Sequence, residues 1–123
     1  VFMEVQLDSR PSRVAQIDAS EAKLLLQKDK KPEVLDVREE WEWRYGSLPG
    51  ARALTPQLLD EVLGHWPKTK PILIYCHFGI RSLDAATFLA DRGFKKVQVI
   101  KGGIDAWSQQ ADPDFPRYSG AYC

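Results

Sequence analysis

The sequence of 123 residues is long enough for one ordinary domain and short for two. Apolar residues make up 44% and charged residues 28%, values typical of a globular protein, and the formal net charge is zero. This balance gives no sign of the basic excess of a nucleic-acid-binding protein. No apolar run approaches the roughly 20 residues that cross a bilayer. We therefore expect neither a nucleic-acid nor a membrane partner.

The start of the chain and its cysteines bear on where the protein acts. No basic region followed by an apolar stretch opens the sequence, so no signal peptide is predicted. The chain begins at Val1 with Met3 close behind, which leaves open whether further domains precede it. Two cysteines, Cys76 and Cys123, do not form a disulfide framework, and a reducing compartment is the simpler interpretation. We therefore predict a cytoplasmic location.

The predicted elements alternate between strands and helices. Residues 1–13 are mixed and polar and form a lead-in. In chain order, the pattern then predicts strand 14–17, helix 19–28, strand 33–38, helix 39–45, strand 51–54, helix 56–64, strand 71–75, helix 82–91, strand 97–100 and helix 104–110. Asp18 and Glu21 have the spacing of a capping box, and Gly93 is placed to cap the fourth helix.

This alternation predicts the fold class. Successive strand–helix units imply right-handed crossovers and a parallel sheet with helices on both faces. We therefore expect one three-layer α/β domain over residues 14–110. Residues 111–123, which contain two prolines and a glycine, are predicted to be a C-terminal tail.

Cys76 is the strongest candidate for a reactive group. It follows the most apolar predicted strand and precedes a helix, and ligands of open α/β sheets bind beyond the carboxyl ends of the strands. The residues that follow it are His77, Phe78, Gly79, Ile80, Arg81 and Ser82. We expect this short loop to curl so that backbone N–H groups point inward and favour an anion. Gly79 allows a positive φ in such a curl.

Two interpretations of this cysteine follow from the residues alone. A single cysteine after an apolar strand is often just a small buried hydrophobe. The helix N-terminus and the permanent charge of Arg81 would instead lower the thiol pKa and favour the thiolate. Because the loop is polar, contains glycine and ends in Arg-Ser at a helix start, we favour a nucleophile.

Three segments resemble the signatures of rhodanese-like domains. They are residues 74–82 (Ile-Tyr-Cys-His-Phe-Gly-Ile-Arg-Ser), residues 34–39 (Val-Leu-Asp-Val-Arg-Glu) with 46–51 (Gly-Ser-Leu-Pro-Gly-Ala), and residues 101–107 (Lys-Gly-Gly-Ile-Asp-Ala-Trp). The three blocks stand in the order and spacing of that family and span about residues 14–110.

The resemblance implies a fold and a reaction. The fold is a five-stranded parallel sheet flanked by helices on both faces. The reaction is sulfur transfer through a persulfide on Cys76, from thiosulfate or a persulfide donor to a thiol or cyanide acceptor. A protein persulfide is a further candidate partner. No metal or organic cofactor is implied.

The roles of several neighbouring residues stay open at this point. Asp36 and Arg38 end the strand that is expected to lie beside the strand before Cys76. They either hold the loop and help to orient the substrate, or they form an internal salt bridge that fixes the strand end. We favour a mainly structural role. Ser82 either caps the helix or donates to the bound sulfur. His77 either attracts an anionic donor or faces solvent. Phe78, like Ile80, is expected at an apolar rim.

Three alternatives compete with the sulfurtransferase hypothesis. A non-catalytic rhodanese-fold binding module is disfavoured because Cys76 and Arg81 are both intact. Phosphatases of this fold have five residues between cysteine and arginine, whereas four stand between them here, and no general acid is evident. A thiol redox enzyme would need a second cysteine nearby, and only Cys123 in the tail offers one.

Overall fold

The structure, a computed structural model, describes residues 14–119. The predictions for the lead-in 1–13 and for Cys123 lie outside that range. The elements in chain order are β1 (Val14–Ile17), α1 (Ala19–Leu26), β2 (Glu33–Asp36), a 3-10 helix (Glu40–Tyr45), β3 (Ala51–Ala53), α2 (Pro56–His65), β4 (Ile72–Tyr75), α3 (Ile80–Asp91), β5 (Val97–Ile100) and α4 (Gly103–Gln110).

The five strands form one parallel sheet, as predicted, and their order in it is β1-β5-β4-β2-β3. Strand β4 lies at its centre, and all four of its residues are buried. Because alternate side chains of a strand point to opposite faces, β4 contributes to two cores. Leu73 and Tyr75 pack with α1 and α4, whereas Ile72 and Ile74 pack with α2 and α3.

Most elements differ at one end by one or two residues from the sequence prediction, and two of these differences affect the site. Strand β2 ends at Asp36, two residues early, because the backbone N–H of Arg38 donates to Oδ1 of Asp36 at 2.9 Å and leaves the ladder. Helix α3 begins at Ile80 rather than at residue 82. Its N-cap, Gly79, has a φ of 108°, so the turn completes within the loop. This earlier start places Arg81 and Ser82 in the first turn.

The residues after α4 pack back on the domain. We call residues 111–119 the C-terminal strap. The carbonyl of Ala111 accepts a 2.9 Å hydrogen bond from the Lys23 side chain, and Phe115 packs against the core that lies under α1 and α4. The part of the predicted tail that the structure describes therefore covers one face of the domain. Within residues 14–119, no helix has the length and apolar content to cross a membrane.

Candidate active site

The Cys76 sulfur lies in a cradle of backbone amides. The N–H groups of Gly79 and Ser82 approach Sγ at 3.1 and 3.3 Å, and the Ser82 hydroxyl oxygen is 3.4 Å away. The cysteine is fully buried. Two converging N–H donors at the start of a helix create a site that stabilises negative charge. The loop therefore curls with backbone N–H groups directed inward, as the sequence predicted.

Helix α4 holds the backbone of this loop in place. The N–H groups of Ile104 and Asp105 donate to the carbonyl oxygens of Cys76 and His77 at 2.8 and 3.0 Å. This approach requires glycine at position 103, where a Cβ atom would stand 2.4 Å from the His77 carbonyl oxygen. Gly102 and Gly103 thus allow α4 to approach the loop and to bind its carbonyl groups, while the amide groups of the loop face the sulfur.

Arg81 is anchored by a glutamate that the sequence analysis missed. Its Nη1 and Nη2 atoms donate to Oε2 and Oε1 of Glu42 at 2.8 and 3.1 Å. Glu42 belongs to the 3-10 helix and is fully buried. The only local signal for it is a capping-box spacing from Glu39, whose backbone N–H it accepts at 2.9 Å.

The environment of Glu42 keeps its carboxylate ionised. Burial by itself would raise its pKa. Hydrogen bonds from Arg81, the Glu39 backbone and the Tyr118 hydroxyl outweigh burial and hold the pKa of Glu42 below its usual range. The first turn of α3 is therefore tied to the 3-10 helix by a charged pair with two hydrogen bonds.

Asp36 and Arg38 form a second buried ion pair. Nε and Nη2 of Arg38 both donate to the Asp36 carboxylate, the shortest distance being 2.7 Å. Nη2 also donates to the Gly46 carbonyl at 2.7 Å, and the Tyr75 hydroxyl donates to Oδ2 of Asp36 at 2.7 Å. The pair therefore connects β2, β4 and the turn after the 3-10 helix, which is the structural role favoured above.

His77 differs from one of the two sequence-based expectations. Its side chain does not face solvent, because it is fully buried in a stack between the rings of Phe78 and Tyr118, with centroids 4.0 and 4.1 Å away. Burial lowers the pKa of His77, and Arg81 lowers it further, while Glu42, Asp105 and the Tyr118 backbone act in the opposite direction and do not offset burial. The ring is therefore neutral at physiological pH in this arrangement.

Tyr118 of the C-terminal strap is the second participant that the sequence did not predict. Its hydroxyl donates to Oε1 of Glu42 at 2.7 Å and accepts from Nη1 of Arg38 at 3.1 Å. Its ring stacks on Tyr45, with a centroid distance of 4.5 Å, as well as on His77. A single side chain from the end of the domain thus bridges both ion pairs and covers the residue beside the cysteine.

The rim of the loop is apolar, as predicted. Phe78 and Ile80 are 44% and 59% exposed. Between them and β5 lies a shallow groove of about 300 Å³, whose floor includes Gly102 and Val99. In residues 14–119, no cluster of three or more His, Cys, Asp or Glu side chains is arranged to hold a metal ion.

Comparison with known proteins identifies the same segment. The family model described as Rhodanese-like domain matches residues 18–110. A probable adenylyltransferase/sulfurtransferase MoeZ of Mycobacterium tuberculosis is 32% identical over 76% of this chain, which spans 24% of that relative. A sulfurtransferase of Allochromatium vinosum is 32% identical over 65% of this chain and 75% of its own length. A rhodanese-like domain protein of Staphylococcus aureus has the same fold, with a TM-score of 0.67, 26% identity, and coverage of 85% of this chain and 99% of that one.

Proposed function

Because the chain belongs to the rhodanese-like domain family, we propose that it is a sulfurtransferase that carries sulfur as a persulfide on Cys76. Two relatives with sulfurtransferase in their names, from Mycobacterium tuberculosis and Allochromatium vinosum, support this activity class. The chain spans about a quarter of the first of these relatives, so the activity concerns this domain and not a whole multidomain enzyme.

The observation that carries the proposal is the amide cradle around Sγ. The donors at 3.1 and 3.3 Å stabilise a thiolate, which is the nucleophilic form of cysteine. The same donors can stabilise the terminal sulfur of a persulfide, because it is also an anion at the start of α3. One site can thus stabilise both the thiolate and the persulfide, the two states between which the reaction alternates.

The proposed reaction has two balanced steps. The Cys76 thiolate attacks the outer sulfur of thiosulfate; a new S–S bond forms, and the old one breaks with its electron pair leaving on sulfite. An acceptor such as cyanide or a thiolate then attacks the terminal sulfur and displaces the Cys76 thiolate. A small-molecule or protein persulfide replaces thiosulfate in the first step by the same displacement, with a thiolate as leaving group.

The test is loading and turnover with thiosulfate as the donor. Mass spectrometry of the intact protein after exposure to thiosulfate should show the gain of one sulfur atom, removed again by cyanide with release of thiocyanate. Cys76→Ser should abolish both. Cys123→Ser, the same change at the other cysteine, is the matched control and should retain both.

Each other outcome has a definite meaning. Loading that survives in Cys76→Ser would contradict the assignment of the nucleophile. If sulfur is loaded onto Cys76 but cyanide releases no thiocyanate, the acceptor is a thiol and not cyanide. If neither thiosulfate nor glutathione persulfide loads the intact protein, the sulfurtransferase proposal is wrong, and the rhodanese-fold binding module is the better interpretation.

A further inference from the structure

The C-terminal strap contacts the candidate active site through one residue. Two anchors fix the strap itself: the Arg117 guanidinium forms two hydrogen bonds with the Asp105 carboxylate at 2.9 and 3.1 Å, and Phe115 lies against Gly46. Between these anchors and the site stands Tyr118, which is half-buried. The strap therefore reaches the cysteine loop by way of the Tyr118 ring and hydroxyl.

The state of His77 depends on this contact. The imidazole lies nearly parallel to the Tyr118 ring, at an interplanar angle of 9°, with Phe78 on its other face. Both ring nitrogens are buried, and neither makes a well-formed hydrogen bond within residues 14–119; the nearby backbone of Tyr118 raises the pKa of His77 but does not offset burial. A buried imidazole with such weak hydrogen bonding is costly to protonate, since the cation would lose its hydration.

We propose that Tyr118 is a specificity-determining and positioning residue of the sulfur-transfer site, which decides whether the imidazole beside Cys76 is available to an anionic sulfur donor. With the strap docked, His77 is sealed behind the Tyr118 ring and adds no positive charge to the mouth of the site. With the strap released, the imidazole is exposed, takes up a proton near its ordinary pKa and attracts dianions such as thiosulfate. This inference rests on the proposed function for its consequence, but not for its geometry.

Charged groups from every neighbouring element act on this histidine. Burial disfavours the imidazolium and outweighs the other influences. Glu42 of the 3-10 helix, Asp105 of α4 and the Tyr118 backbone of the strap favour the imidazolium, and Arg81 of α3 opposes it. The folded, docked state therefore prefers neutral His77. As pH falls below about 6.5, the ordinary histidine value, protonation increasingly favours the state in which the ring has left the stack. Acid thus favours release of the strap, but at a lower pH than the one at which the exposed imidazole of a released strap takes up its proton.

The first experiment is a titration of both histidines by NMR. His77 is one of the two histidines of the chain, and its own titration in the urea-unfolded protein serves as the reference. In the intact protein, His77 should titrate at a lower pH than in the unfolded protein, because burial lowers its pKa. In Tyr118→Ala its pKa should move toward the unfolded value. Tyr118→Phe keeps the stacked ring and removes only the hydroxyl, so His77 should stay low.

The second experiment measures loading of Cys76 by thiosulfate. For each protein the half-saturating thiosulfate concentration is measured at about pH 8 and at about pH 5.5, and the value for Tyr118→Ala is divided by the value for the intact protein. This ratio should be about three-fold lower at the acid pH, because protonation of the exposed imidazole adds one cation near a dianion. The maximal loading rate should change much less. A merely structural role for Tyr118 would not create this pH dependence in binding.

The outcomes separate the two proposals. If His77 titrates alike in the intact and in the urea-unfolded protein, or if Tyr118→Ala leaves its pKa low, the role of Tyr118 is refuted whether or not sulfur is transferred. If Tyr118→Ala does not fold, the comparison of His77 between the folded and the unfolded protein, made for the intact chain and for Tyr118→Phe, still decides whether the stacked ring keeps the imidazole neutral. If the titration behaves as expected but thiosulfate never loads Cys76, the proposed function fails and the control of His77 by the strap stands.

Discussion

Replacement of Glu42 by alanine should cost far more stability than its single ion pair suggests. The Glu42 carboxylate is fully buried and receives hydrogen bonds from Arg81, Tyr118 and the Glu39 backbone. Glu42→Ala leaves these donors without their shared acceptor. Breaking a buried pair from one side costs about 3–5 kcal/mol. Because 23% of the Arg81 side chain is exposed, water recovers part of its solvation, and we expect about 3 kcal/mol, the low end of that range.

The matched control is Glu33→Ala. Glu33 likewise pairs with basic side chains, Arg52 at 3.2 Å and Lys70 at 3.4 Å, but the three side chains are between a third and a half exposed. Exposed ion pairs contribute less than about 1 kcal/mol. The two substitutions remove the same atoms, so the difference between them isolates the effect of burial.

The assay is urea unfolding, followed by the fluorescence of the four tryptophans. A loss of about 3 kcal/mol should lower the midpoint without changing the slope, and it should lower the melting temperature by roughly 10 °C for a domain of this size. The reasoning would be refuted if Glu42→Ala cost no more than Glu33→Ala. A changed slope would instead point to altered compactness of one state.

The pH dependence gives a second check on Glu42. Its pKa is lower in the folded protein than the unfolded value of about 4.3, so the folded state gains stability from its ionisation above that pH. This contribution should disappear as the pH falls through the lower folded pKa. The gap in unfolding free energy between the intact protein and Glu42→Ala should therefore narrow in acid and stay constant from about pH 6 to 8.

Three further predictions concern the groups that shape the loop. Gly103→Ala should destabilise the fold by about 3 kcal/mol or more, because the new Cβ would lie 2.4 Å from a loop carbonyl oxygen and because φ at this position is 63°. Gly64→Ala is the control: its Cβ would meet open space, and the change should be neutral or stabilising. Thermal melts of the two variants make the comparison. Tyr75→Phe removes a fully buried hydroxyl that donates to Asp36, and urea unfolding should show a loss of about 2 kcal/mol. Ser82→Ala removes the hydroxyl whose oxygen accepts from the Cys76 thiol at 3.4 Å and which itself donates to the Gly79 carbonyl at 3.1 Å. Because this acceptor favours the protonated thiol, the pH profile of thiol alkylation should shift downward by about one pKa unit or less, with the backbone cradle retained. An unchanged profile would show that the hydroxyl has no influence on the thiol.

Local pattern was sufficient for the framework and for the position of the nucleophile. Alternation of short apolar strands with helical segments predicts a parallel sheet, since each strand must return to the same edge through a crossover. A cysteine that directly follows the most apolar strand must then lie at the carboxyl edge. The role of Gly79 could also be predicted from the sequence, because the curl of the loop requires a positive φ, which glycine adopts readily. In the structure the φ of Gly79 is 108°.

The support of the site was decided only by tertiary structure. Glu42 and Arg81 are 39 positions apart and Tyr118 and Glu42 are 76 apart, so no local spacing connects them. His77 shows the same limit: its sequence neighbours suggest a polar loop residue, yet an aromatic ring from the C-terminal strap buries it. Backbone curvature and helical periodicity depend on residues that are close together in the sequence, so a local sequence pattern can predict them. The burial and protonation of a side chain depend on whatever the folded chain brings against it, and here that is a segment from beyond the last helix.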